Sequence, residues 1–362
     1  MEKPFFEKFK KNPLFWIFSG RLFFLSLNLI FLIIVLLGIG SVITSTFSSD
    51  YKDPTDKALV INPMGPIVEQ VIGSDDPLDN LSGDLPKELY VGDLLEVLET
   101  AASDNRVQNI LLSLDNINGT GQAVLYDVGQ ALQKLQDAGK NIIAVGDYYT
   151  RSGYYLASFA DEIIMNTDGG IALDGFGRSR LFFKSFLEKI KVDFNVFRVG
   201  TYKSAVEPYL DNKMSEEAKE ANLAYLNVLW ESYKEVISRN RGLTSDDIQY
   251  LVDNADTILA NPDLSTSAAL LDYGLVDKLM PRTKARTYLR NMFGQSEDKK
   301  SFARISGYDY FQLIQSERDE NYVEDKIAVI VARGTIVNGV QPPGMIGGDS
   351  TSRLIRDAHE ND

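Results

Sequence analysis

Residues 109–145 read NILLSLDNINGTGQAVLYDVGQALQKLQDAGKNIIAV, and this stretch decides the fold. Asn109–Leu114 is an apolar run of strand length, Ala123–Leu135 repeats its apolar positions at helical spacing, and Asn141–Val145 is a second buried strand. A strand, a helix of 10 to 13 residues and another strand form the unit of a parallel sheet, because the helix carries the chain back to the end where it started. Working outward, Ala58–Ile61 reads as a buried strand, Leu94–Ala102 as a helix, Tyr154–Phe159 as a helix and Glu162–Met165 as a further strand. From Ser215 the chain becomes helix-rich. The Ser215 hydroxyl is placed to cap a helix, with Glu216 and Glu217 in its first turn. The fold class expected is α/β, built of β/α layers with a helical extension.

The chain also repeats itself. DKALVINPMGPIV at Asp56–Val68 matches DKIAVIVARGTIV at Asp325–Val337 in seven of thirteen positions, at an offset of 269. GDLLEVLETAASDN from Gly92 resembles GDSTSRLIRDAHEN from Gly348. Two matches in the same order predict two copies of one unit. The second copy reaches Asp362 before the counterpart of the strand at Asn109, and half of a β/α unit cannot bury its strands on both faces. The expectation is therefore the N-terminal part of a longer tandem protein. Its expected divisions are a basic N-terminus at 1–21, an apolar anchor at 22–43, a linker at 44–56, a first repeat at 57–300, a connector at 301–325 and the start of a second repeat at 326–362.

Composition narrows the chemistry. The chain has 362 residues, 44% of them hydrophobic, and a net charge of −14. That charge argues against a nucleic-acid partner, since phosphate binding needs concentrated Lys and Arg. There is no Cys and a single His, His359. Thiol nucleophiles and Cys-ligated metals are excluded, and a Ser-His-Asp triad would depend on a residue four from the end. Hydrolysis would then need another base, for which Lys is the usual substitute. A dinucleotide site is sketched by Gly119, Gly121 and Asp147, yet Val124 stands where a third small residue should pack. No cofactor and no metal are expected.

Leu22–Ile43 is 22 residues without a charge, about 33 Å long as a helix, enough to span a hydrocarbon core. Lys3, Lys8, Lys10, Lys11 and Arg21 precede it, so the N-terminus is expected in the cytoplasm and the main domain outside. The stretch exceeds the apolar core of a cleaved signal peptide and ends in Thr44-Ser45-Thr46-Phe47-Ser48, which favours an uncleaved anchor.

Phe197–Pro208 reads FRVGTYKSAVEP. This run resembles the lysine motif of bacterial signal peptide peptidase A (protease IV) of the long, tandem type. The likeness extends to the anchor, to YYLASFAD at Tyr154–Asp161 and to the start of the second repeat. It implies a Clp protease/crotonase-like fold, a homotetramer, an inner-membrane location and cleaved signal peptides as substrates. It also implies a Ser-Lys dyad in which Lys203 is the base and the serine lies in an ASGGY-like turn beyond Asp362. In the first-copy counterpart, TRSGYYLAS from Thr150, Arg151 occupies the nucleophile position and Ser152 follows it. Arg cannot be acylated, and Ser152 reads as a turn serine beginning a helix. Gly119 and Gly121 match the substrate-side glycine turn.

The residues around Lys203 state their own requirement. A lysine is a base only when neutral, so its pKa must fall from about 10.4 toward neutrality, at a cost of about 4 kcal/mol supplied mainly by desolvation. Val199, Gly200, Tyr202, Ala205 and Val206 are expected to form an apolar setting, while a carboxylate at Glu207 would oppose it. Two other classes remain open: a catalytically inert scaffold, and a crotonase-like acyl-CoA enzyme, which would need a CoA site.

Overall fold

The computed structural model describes residues 31–35, 53–72, 88–259, 265–318 and 327–360. The chain divides into two compact units, residues 1–51 and 52–362. The expected span Leu22–Ile43 lies outside the described residues apart from Phe31–Val35, a helical segment with exposed side chains. Among the described residues no helix is long and apolar enough to cross a membrane.

In the second unit the chain runs β1 (Ala58–Ile61), β2 (Ile67–Val68), β3 (Leu89–Tyr90), α1 (Val91–Ser103), β4 (Asn109–Leu112), α2 (Gln122–Asp137), β5 (Asn141–Tyr149), α3 (Arg151–Ala157) and β6 (Glu162–Ile171). Helices α4 (Lys184–Lys189), α5 (Glu207–Leu210), α6 (Glu216–Arg241), α7 (Ser245–Asp253), α8 (Ala255–Leu259) and α9 (Thr266–Asp272) follow. The chain continues through β7 (Lys278–Leu279), α10 (Arg282–Phe293), β8 (Arg304–Ser306) and α11 (Gly307–Glu317) to β9 (Thr335–Val337), β10 (Met345–Gly347) and α12 (Gly348–Glu360). Six strands form one sheet in the order β7-β6-β5-β4-β1-β8, and every pairing in it is parallel.

Alternation along the strands decides which layer each residue joins. Leu59, Ile61, Ile110, Leu112, Ile142, Ala144, Ile163 and Met165 point into the larger core with α1, α2 and α3. Their neighbours Ala58, Leu111, Ile143 and Ile164 point the other way, under Ala285, Leu289 and Phe293 of α10. Burying each large aliphatic side chain stabilises by about 1.5–3 kcal/mol, so α1 is held by Leu94, Val97 and Leu98, all buried. The stretch expected as a connector, 301–325, contributes β8 beside β1 and α11, whose Tyr310 and Leu313 join the larger core.

The two matching segments share a local order of elements. The pair β2 and β3 is parallel and leads directly into α1; the pair β9 and β10 is parallel and leads directly into α12. Ile67 and Val68 of β2 correspond at the offset of 269 to Ile336 and Val337 of β9. The two copies differ in surroundings. The counterpart of β1, from Ile327, pairs with no strand among the described residues, and Ile327 and Val329 are 90% and 80% exposed. Helix α12 buries none of its residues.

Candidate active site

Helix α3 begins at the turn where the motif places the nucleophile. Thr150 caps it: its Oγ1 accepts from Gly153 N at 3.1 Å and donates to the Ile117 carbonyl at 2.5 Å. A Cβ at residue 153 would lie 3.0 Å from the Leu114 carbonyl oxygen and 3.1 Å from Ile117 Cγ2, so glycine is what lets α3 pack this closely on the loop after β4. Arg151 is committed to structure. Its Nη1 pairs with Asp174 Oδ1 at 3.1 Å and donates to the Gly175 carbonyl, and its guanidinium stacks 4.1 Å above the Phe176 ring. Its own carbonyl accepts from Tyr233 Oη at 3.0 Å. Ser152 is buried within the helix, and among the described residues neither it nor Arg151 has a recorded hydrogen bond or ion pair with Lys203. Thr150–Ala157 thus forms a capped turn and short helix in which Arg151 is engaged by Asp174 and the Gly175 carbonyl.

The glycine loop after β4 is tied down as well. Thr120 Oγ1 accepts from Ile67 N of β2 at 3.0 Å, and Gly121 is the N-cap of α2. Beside it, Asp115 Oδ1 accepts from the backbone N–H of Asp147 at 2.6 Å. Asp147 in turn accepts from Asn166 Nδ2 at 2.7 Å and pairs with Arg282. The Arg282 hydrogen bond holds the Asp147 carboxyl below its usual range, helped by Asn166 and opposed by partial burial. Asp147 is therefore engaged, and Val124 is packed in the core, so the dinucleotide pattern has neither its acid nor its third small residue. Two cavities open at the carboxyl ends of the strands, where open α/β sheets place ligands. One of about 550 Å³ lies among Asn62, Asp93, Leu94, Ser306, Tyr308 and Phe311. The other, about 280 Å³, lies among Asn62, Ser113, Asp115, Asp147, Arg282 and Arg304. Among the described residues no group of three His, Asp or Glu side chains is arranged to hold a metal ion.

Lys203 sits in the loop before α5, with its side chain exposed. Among the described residues the apolar setting expected from its sequence neighbours does not form: Val199 is 86% and Tyr202 57% exposed. In an irregular loop, residues adjacent in sequence point in different directions, and the described residues supply no surface that covers them. Gly200, at φ 115, makes the turn against which the Lys203 stem lies. Glu207, expected to oppose a neutral lysine, instead turns inward. It is buried, accepts from Ser215 Oγ at 2.5 Å and lies 3.9 Å from Arg198 Nη1. Sequence reasoning missed Arg180 and Arg198, which donate to the carbonyls of Ser204 and Lys203 at 3.0 and 2.6 Å. No periodicity or spacing marks an arginine that binds a backbone carbonyl. The Ser215 cap, by contrast, was legible.

A family model described as Peptidase family S49 matches residues 134–294, which include Thr150–Gly153 and Lys203. Protease 4 of Salmonella typhi is 34% identical over 344 residues, covering 92% of this chain and 54% of that protein. Protease 4 of Haemophilus influenzae is 34% identical over 349 residues, covering 93% of this chain and 55% of its own length. The chain spans about half the length of these curated relatives. A solved structure of a mutant of the 1510-N membrane-bound stomatin-specific protease is 14% identical, with 65% of this chain and 86% of that chain covered and a TM-score of 0.32.

Proposed function

Because the chain belongs to peptidase family S49, we propose that it is the lysine-bearing part of a membrane-anchored serine endopeptidase that degrades released signal peptides. The observation that carries this reading is the recurrence of β2, β3 and α1 as β9, β10 and α12, in a chain half as long as its curated relatives. In the first copy an arginine holds the nucleophile position, so the serine belongs to the second copy, in residues beyond Asp362. Neutral Lys203 Nζ takes the proton from that serine Oγ as Oγ bonds to the peptide carbonyl carbon. Backbone N–H groups hold the resulting oxyanion, and the lysine's proton leaves with the departing amine. Water then adds to the acyl-enzyme carbonyl, Lys203 taking its proton, and as the ester bond breaks Lys203 returns that proton to serine Oγ and the acid product leaves. The surface that dries Lys203 comes from the second copy and from neighbouring subunits of a homotetramer. The Leu22–Ile43 anchor holds the site close to apolar peptides leaving the membrane, outside the cytoplasm.

The test is made in the full-length protein, by peptide hydrolysis and by labelling with a serine-directed phosphonate. Lys203→Arg keeps a cation that does not deprotonate near neutral pH, and Lys203→Ala removes the amine, so both are expected to lose turnover while assembly persists. Near wild-type turnover by a well-assembled Lys203→Arg protein would refute the assignment. Residues 45–362 alone are expected to show no peptidase activity; lysine-dependent hydrolysis there would move the nucleophile to Ser152 or another serine of this chain.

A further inference from the structure

We propose that Arg180, Arg198 and Glu207 form a positioning clamp for Lys203, fixing its backbone while leaving its amine unengaged. The inference rests on the reading of Lys203 as the base and names the residues that aim it.

The contacts fall on both sides of the lysine. Arg198 Nη1 donates to the carbonyl of Lys203 itself at 2.6 Å, and Arg180 Nη1 donates to the next carbonyl, that of Ser204, at 3.0 Å. One residue before the lysine, Tyr202 Oη donates to Glu220 Oε2 on α6 at 3.1 Å. Four residues after it, Glu207 is 2% exposed and accepts from Ser215 Oγ at 2.5 Å, at the N-terminus of the same helix. Helix α6 is in turn fastened to α3 through Tyr233 Oη and the Arg151 carbonyl. The lysine backbone is thus tied to the scaffold that carries the candidate site, whereas the Lys203 ammonium has no recorded hydrogen bond or ion pair among the described residues.

Glu207 does more than begin a helix. Capping needs only an acceptor, and Ser215 Oγ already accepts from Ala218 N at 3.2 Å. The hydroxyl proton is spent on Glu207, which links the cap to the lysine loop. A buried carboxylate is costly unless charge and hydrogen bonds compensate it. Here Ser215 and Arg198 face it, and the positive end of α6 adds a favourable field. Arg198 spans from this carboxylate, 3.9 Å away, to the Lys203 carbonyl, so a change at Glu207 reaches the lysine through one side chain.

The experiment measures kcat and KM for peptide hydrolysis in the full-length protein. Displacing a catalytic group by 1 Å costs up to about 100-fold. Glu207→Ala is therefore expected to lower kcat by about 10- to 100-fold with KM nearly unchanged. Glu207→Gln keeps the acceptor for Ser215 and is expected to restore most of that loss. A folded Glu207→Ala protein with wild-type kcat, a loss confined to KM, or equal impairment of the Gln and Ala variants would each overturn the clamp. If Glu207→Ala does not fold, Arg198→Ala decides, since that side chain is 38% exposed; wild-type kcat there overturns the proposal, and a kcat loss at constant KM supports it. Lys203→Ala runs in parallel. If it is active, the assignment of the base fails together with the clamp built on it. If it is inactive while the Glu207 and Arg198 variants turn over normally, only the clamp fails.

Discussion

Replacing Tyr233 by phenylalanine and by alanine separates two ways in which α6 is fastened to α3. Tyr233 is fully buried. Its ring stacks on Trp230 with centroids 5.5 Å apart, lies 5.8 Å from Tyr155 and meets the edge of Phe176 at 6.3 Å, and its hydroxyl donates to the Arg151 carbonyl at 3.0 Å. Phe keeps the ring and removes one neutral hydrogen bond, whose net worth is about 1 kcal/mol. Ala removes the ring as well, leaving a cavity among three aromatic neighbours and costing about 3–5 kcal/mol. The two variants should therefore differ by roughly 2–4 kcal/mol. Denaturant unfolding of the purified protein, followed by tryptophan fluorescence, reads this locally because Trp230 is one of two tryptophans and the one against Tyr233. Equal destabilisation by Phe and Ala would mean that the hydrogen bond, not the packing, fastens the helix. An alanine cost below about 1 kcal/mol would mean that α6 is not anchored here at all.

Much of the sheet was legible because its strands are short apolar runs with nothing polar to compete. Ala58–Ile61 is a strand with the bounds expected, and Asn109, Asn141 and Glu162 each begin one. What failed was decided by distant parts of the chain. β5 and β6 run on past Val145 and Met165 because their pairing shifts between Gly146 and Tyr148 and then resumes, a bulge that no period of two announces. β7 and β8 span two and three residues, too short for any pattern, and are strands only because β6 and β1 offer them partners. Helix α3 starts at Arg151 rather than Tyr154, since the Thr150 cap lies inside a run that reads as a turn. At the proposed site, the motif around Lys203 marks a loop without revealing its environment. The apolar neighbours were counted along the sequence, whereas the loop is held by Arg180, Arg198 and Ser215. The matching segments show the same division: Ile336 and Val337 pair as Ile67 and Val68 do, while Ile327–Ile330, the counterpart of Ala58–Ile61, lacks among the described residues the neighbours that make β1 a strand.

The bulge region offers a severe substitution. A Cβ at Gly169 would run into the Asp147 carbonyl and lie 2.9 Å from that of Asn166, so Gly169→Ala is expected to lower stability by roughly 1–3 kcal/mol. Gly177→Ala, with nothing within 4 Å of the new carbon, is the matched control, and equal denaturation midpoints would contradict the geometry. For topology, a reporter fused after Ser49 is expected to be active only outside the cytoplasm; cytoplasmic activity would reverse the orientation read from the basic flank. Alkaline pH tests three buried phenols. Tyr149, Tyr154 and Tyr233 donate to the carbonyls of Ile164, Leu275 and Arg151 at 3.2, 2.8 and 3.0 Å, and burial pushes each phenol above its usual pKa. A phenolate could not donate these bonds. In the unfolded chain the same groups titrate near 10, so below that pH both states hold the protons and the contribution to stability is complete. As pH rises above about 10 the unfolded state loses protons that the folded state retains, and each group makes stability fall by up to about 1.4 kcal/mol per pH unit until its folded pKa is reached. Unfolding free energy measured against pH should hence decline from near pH 10, with phenolate absorbance for these residues appearing only as the protein unfolds. If all tyrosines instead titrate near 10 in a protein that stays folded, the three hydroxyls are not buried donors, and the fastening of α6 through Tyr233 goes with them.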